Sequence, residues 1–203
     1  HSTCKDIGPI AKRFPDMNFL IYHSGYVAGK AEGAYDPART DGVDALVTSL
    51  AEAGVGPNRN VYAELGSTWR FASMRDPTTA AHLLGKLFKY VGQDNVLWGT
   101  DSIWYGSPQD QIQAFRTFQI SDELVAQHGY PKMTPALRAK VFGLNAVKPY
   151  GLDAKTVRQY VERDAVAREK AEYAERPNPS FATYGPQNRR QFLNLMRASG
   201  GGP

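Results

Sequence analysis

The stretch "NVLWGTDSIWYGSP", residues 95–108, runs from a short apolar strand into Gly99, Thr100 and Asp101, then through two aromatics to a Ser-Pro helix start. A carboxylate at the end of a buried strand is costly to desolvate unless it is paired, hydrogen-bonded or bound to a metal. Working back from it, "FLIYHSG" (19–25) is a second strand that closes on His23, Ser24 and Gly25, and "NVYAEL" (60–65) is a third that carries Glu64 near its end. Helical spacing fills the intervals. Ile7, Ile10, Ala11 and Phe14 share a face that stops before Pro15; Val43, Leu46, Val47 and Leu50 lead to Gly54; Leu83, Leu84, Leu87, Phe88 and Val91 follow the start signal Asp76-Pro77 and end near Gly92. Further starts stand at Ser107-Pro108 and Thr134-Pro135.

The order is therefore helix, strand, helix, strand, helix, strand, helix. Such alternation with apolar strands belongs to a parallel sheet covered by helices, in a barrel or an open doubly wound sheet. The glycine fingerprint of nucleotide-binding open sheets and a phosphate-loop Gly-Lys-Ser are both missing, which favours a barrel. Barrels collect chemistry at the carboxyl ends of strands, and these ends carry His23, Glu64 and Asp101.

The 203 residues suit one full-sized domain, and 42% hydrophobic content suits a packed core. No apolar run reaches the length of a membrane span, and no signal-peptide pattern opens the sequence. The net charge of +4 divides unevenly: 15 Lys/Arg stand against 14 Asp/Glu in residues 1–150, and 9 against 6 in 151–203. A basic excess confined to the tail argues against a nucleic-acid face, which needs clustered cations tracking phosphates. Cys4 is the one cysteine, so an internal disulfide and a cysteine-rich zinc site are excluded. The compartment stays open, with the cytoplasm as the working expectation.

Composition divides the chain into a body, 1–151, and a helical extension, 152–203. In the extension a charged helix runs to the "PNP" at 177–179, and a short basic helix with Phe192, Leu193, Leu195 and Met196 on one side precedes a Gly-rich tail. Its "NRRQFLNL" (188–195) is read as an amphipathic helix docking on the body or a neighbouring subunit. Two stretches after strands, 25–41 and "GSTWRFASMRD" (66–76), read as long loops with a lid, specificity or subunit-contact role. Their Lys30, Arg39, Arg70 and Arg75 are candidates to meet an acidic substrate, although exposed loop charges are most often solvated.

The pair "FLIYHSG" and "LWGTDS", with "IAKRFPDMNFLIYHSG" and "VFGLNAVKPYGL", resembles the carboxyl-terminal half of the metal-dependent amidohydrolase superfamily. The closer likeness is to its amidohydrolase-2 branch, related to the aminocarboxymuconate-semialdehyde decarboxylases, over roughly residues 6–152. The resemblance implies an eight-stranded TIM-type (β/α)8 barrel, of which this chain would hold about three strands, and one or two divalent metals, usually zinc. It makes Asp101 a metal ligand that also handles the proton of a metal-bound water. It makes His23 the group that polarises substrate or orients that water, or a second metal ligand. The family's first-strand His-x-His motif and fifth-strand histidine have no counterpart, because the only histidines are His1, His23, His82 and His128. The expectation is thus a partial barrel, inactive when isolated, completed by its own oligomer or by a missing upstream half.

Each site residue also has a plainer reading. Asp101 caps Ile103 or Trp104; His23 is a buried histidine bonded to backbone; Glu64 turns into the barrel mouth or forms an ion pair with Arg70 or Arg75. Trp104 and Tyr105 wall a substrate pocket or pack on the next helix. The reaction expected is hydrolysis of a small molecule, with non-oxidative decarboxylation as the alternative within the family. A non-catalytic barrel half serving as a binding or assembly module is the alternative of another class.

Overall fold

Pro15 cannot continue a helix, and α1 (Ile7–Arg13) accordingly ends just before it and turns into β1 (Phe19–Ile21). The computed structural model describes residues 3–177 and 188–198. After β1 come α2 (Gly42–Ala53), β2 (Val61–Glu64), α3 (Gly66–Arg75), α4 (Pro77–Lys86) and β3 (Val96–Leu97). One wide turn of π-helix, Leu87–Gly92, carries α4 on towards β3. Then follow α5 (Ser102–Tyr105), α6 (Gln109–Thr117), α7 (Asp122–His128), α8 (Pro135–Phe142), α9 (Ala154–Arg163), α10 (Ala165–Glu175) and α11 (Arg189–Ala198).

Among the described residues the strands form one parallel sheet in the order β1-β2-β3, with Phe19 opposite Val61 and Ala63 opposite Val96. Alternation sends Ile21, Val61, Ala63 and Val96 to the face that the helices cover, where they join the core. Leu20, Tyr62, Glu64 and Leu97 take the other face. This is a mixed α/β fold rich in helix, consistent with part of a TIM-type barrel; a closed barrel is not what the described residues form.

The helix-end signals at Asp76, Thr134 and Gly54 hold at the atomic level, whereas at Ser107-Pro108 it is Pro108 itself that takes the position before α6, without a side-chain cap. Asp76 accepts from Thr79 N–H at 2.6 Å with Pro77 behind it, and Thr134 accepts from Leu137 N–H at 3.1 Å before Pro135. Gly54 ends α2 in the left-handed region. Val43, Leu46, Val47 and Leu50 on α2 are all at most 2% exposed, each such burial contributing about 1.5–3 kcal/mol. In the "GLNAVKPYGL" segment, Asn145 donates to the Gln93 and Val96 carbonyls, both at 2.9 Å, and so ties the chain after α8 to β3.

Two expectations change. The stretch 66–76 is not a loop: α3 occupies Gly66–Arg75. Its buried side is made largely of small polar residues, Ser67, Thr68 and Ser73, beside Trp69 and Ala72, so it lacks the apolar period that marks a helix. The charged helix after residue 152 is two helices, α9 and α10, parted at Asp164, whose side chain accepts from Ala167 N–H at 2.7 Å and restarts the helix. The basic helix docks on the body as expected: Phe192 of α11 is 2% exposed and packs edge-on to Phe118 at 5.7 Å. Residues 178–179 of the "PNP", the side chain of Met196 and the tail 199–203 lie outside the described residues.

Candidate functional site

Each strand delivers its last residues to the same end of the sheet, and the backbone there leaves ordinary conformations. His23 (φ 57), Ser24 (φ 55), Gly66 (φ 40) and Asp101 (φ 49) are all left-handed. For a residue with a Cβ this costs on the order of 1–3 kcal/mol, and such strain gathers at functional sites. Here local hydrogen bonds offset it: Thr68 Oγ1 donates to the His23 carbonyl and Ser24 Oγ to the Glu64 carbonyl, both at 2.7 Å.

The result is a convergence of side chains from all three strand ends. His23 Nε2 stands 3.4 Å from Asp101 Oδ2, with side chains 32% and 14% exposed. Asp101 is held from several sides: Ser67 Oγ donates to Oδ2 at 2.7 Å, Ser67 N–H to Oδ2 at 3.2 Å, and Tyr22 Oη to Oδ1 at 3.2 Å. Ser67 N–H also reaches His23 Nδ1 at 3.3 Å. A donor at Nδ1 makes that nitrogen an acceptor, which leaves the proton of the neutral ring on Nε2, towards Asp101. The Tyr22 ring lies 3.8 Å from the imidazole. Desolvation, then the hydrogen bond to Asp101, raise the Tyr22 phenol above its ordinary pKa, so it stays a donor.

Glu64 does not make the ion pair considered for it. Its Oε2 accepts from His23 N–H at 3.3 Å and its Oε1 from Gly66 N–H at 2.7 Å. Burial pushes its carboxyl above the usual glutamate range, against the opposing pull of those two amides. Arg70 instead faces Asp110 at 3.7 Å and lies over the Tyr105 ring at 4.8 Å. Arg75 faces Asp76 at 3.9 Å and donates to the Gly29 carbonyl. Lys30 pairs with Asp41, and Arg39 reaches Asp41 and Asp44. The four loop cations proposed for an acidic substrate are thus each engaged within the chain.

Asp101 is not a side-chain helix cap either; towards α5 it offers only its carbonyl, which accepts from Trp104 N–H at 2.9 Å. Tyr105 belongs to the site through its hydroxyl, 3.1 Å from Ser67 Oγ. Trp104 is 75% exposed, so it neither walls an enclosed pocket nor packs under the next helix. Sequence reasoning missed Tyr22 and Ser67. A hydroxyl three residues beyond a strand end, after Gly66, was the available signal for Ser67, and reading 66–76 as a loop concealed it.

The family model described as amidohydrolase matches residues 2–152. The chain belongs to the amidohydrolase family. No curated protein and no solved structure matches it. Membership points this amidohydrolase to hydrolase- or decarboxylase-type function. Family members generally use divalent metals, and the described residues do not fit one. Among the described residues no group of three His, Cys, Asp or Glu side chains is gathered to hold an ion, and the Asp101 carboxylate is already directed at Ser67 and Tyr22. His82 and His128 are elsewhere: the rings stand 5.1 Å apart, and His82 Nδ1 is 3.1 Å from Tyr130 Oη. No helix among the described residues is long and apolar enough to cross a membrane.

Proposed function

We propose that His23 and Asp101 are the acid–base pair of an amidohydrolase-type hydrolase acting on a small molecule. The observation that carries this is the 3.4 Å approach of His23 Nε2 to Asp101 Oδ2, made by residues at the ends of β1 and β3. The Ser67 amide is shared between His23 Nδ1 and Asp101 Oδ2, so Nδ1 takes a proton from the attacking water while the amide stays with Asp101. The carboxylate, facing Nε2–H, stabilises the imidazolium so formed, and Nδ1 returns the proton to the leaving group. Such transfer contributes about 10²–10⁴-fold to rate. Tyr22 and Ser67 hold Asp101 in place, the Tyr22 ring lies against the imidazole, and the Tyr105 hydroxyl reaches Ser67 Oγ.

The test is turnover on a panel of small esters, amides and lactones by the wild type, His23→Gln and Asp101→Asn. Each substitution is expected to lower kcat by at least about a hundredfold. Unchanged turnover in both would overturn the pair; release of carbon dioxide from carboxylic acids in place of hydrolysis would overturn the reaction class.

We further propose that the rest of the site comes from outside the described residues, on a second copy or another polypeptide segment seated against β1. Among the described residues β1 pairs with β2 on one side only, and its Leu20 is 36% exposed. An unpaired parallel strand is an unstable edge. Native mass spectrometry should then show an assembly well above 22.4 kDa; a lone chain of that mass would refute it.

A further inference from the structure

Glu64 sits at the end of the central strand, and the two groups that hydrogen-bond to its carboxyl are both backbone amides, with the charges of His23 and Asp101 close by. Oε2 takes the His23 amide and Oε1 the Gly66 amide. Two neighbours leave room for it by having no side chain. A Cβ on Gly99 would stand 1.7 Å from Glu64 Oε1. A Cβ on Gly66 would stand 2.9 Å from Glu64 Oε2 and 2.6 Å from His23 Nδ1. The carboxyl therefore fills the gap between the ends of β1, β2 and β3, and it touches the turn that carries His23 as well as the turn that carries Ser67.

Those turns are the ones that need holding. His23 is in the left-handed region, where a histidine does not rest by preference. The Ser67 amide, one residue beyond Gly66, contacts both His23 Nδ1 and Asp101 Oδ2. A mainly structural ion pair would place a cation beside Glu64, yet Arg70 and Arg75 bond elsewhere. We propose that Glu64 is a positioning residue, whose carboxyl group clamps the His23 and Gly66 amides and thereby aims the imidazole at Asp101. This rests on the acid–base reading for its effect on turnover, but not for the clamp itself.

Three readouts separate the two. In the wild type, hydrogen exchange at the His23 and Gly66 amides should be slow compared with the exposed Gly29 amide; equal rates would refute the clamp without any substitution. In Glu64→Gln, shown by circular dichroism to be folded, one oxygen faces two donors. Exchange at one or both amides should rise about tenfold or more, as loss of a hydrogen bond to a charged group implies. The ring ¹⁵N resonances of His23 should move while those of His82 and His128 stay. In Gly99→Ala, Glu64 is kept and its carboxyl group is displaced, and the same signature is expected; this variant decides the matter if Glu64→Gln does not fold. With a substrate in hand, kcat should fall about tenfold or more in both variants with KM unchanged. Unaltered exchange and His23 resonances in a folded Glu64→Gln would overturn the proposal. If His23→Gln leaves turnover intact, the acid–base reading fails, while exchange and resonances still judge Glu64.

Discussion

Two histidines of this chain illustrate how burial divides labour among identical side chains. His23 faces Asp101 at the strand ends; His82 is 8% exposed on α4, where burial first, then the nearby charges of His128 and Lys86, lower its pKa from the ordinary 6.5. The unfolded chain therefore takes up this proton at a higher pH than the folded one, so the contribution is present above about 6.5 and lost as pH falls through the folded value. Thermal midpoints should drop on acidification below that point, and His82→Gln should flatten the slope; an identical slope in the variant would refute the assignment. Glu64 acts with the opposite sign: its raised pKa favours the fold at low pH, and that advantage fades as pH climbs from the ordinary glutamate value through the raised one. His23 and Asp101 were legible in the sequence because apolar strands ended on them. Tyr22 and Ser67 were not, since a hydroxyl carries no periodic mark and its role depends on which turn it shares.

At the scale of elements, the loop of residues 26–41 is fastened by charge. Lys86, fully buried on α4, lies 2.5 Å from Glu32 and 2.7 Å from Asp44, while Arg39 stands 3.4 Å from the other Asp44 oxygen and Glu32 also accepts from Val43 N–H. Removing the cation strands two carboxylates in the interior. Lys86→Met should therefore cost about 3–5 kcal/mol, measurable as a lower denaturant midpoint; a loss below about 1 kcal/mol would mean the loop is held by other contacts. None of this could be read from sequence, because Glu32, Asp44 and Lys86 are far apart along the chain and such residues are ordinarily exposed. The strands and α1, α2 and α4 were readable, since their apolar period is kept on one face. The misread α3 shows the limit of that signal: a helix whose buried side is largely serine, threonine and alanine looks like a loop.

Over the whole molecule, the extension is not a bystander to the body. Phe192 enters the core beside Phe118, and α11 packs on α3 and α6; α3 in turn bears Ser67 and Arg70. Phe192→Ala should cost about 3–5 kcal/mol and be seen as a lower thermal midpoint, with a change below about 1 kcal/mol showing that the docking is superficial. By contrast α9 and α10 bury no residue. The exposure of Trp104 has a further, practical consequence. Of the three tryptophans, Trp69 is fully buried and Trp98 is packed among Phe115 and Phe142. Trp98 is partly buried, and Trp104, three residues from Asp101, is the one that is mostly exposed. Its emission should be red-shifted and quenched by iodide, so that any molecule settling over the strand ends announces itself as a blue shift, giving the protein a built-in optical reporter before a substrate is known.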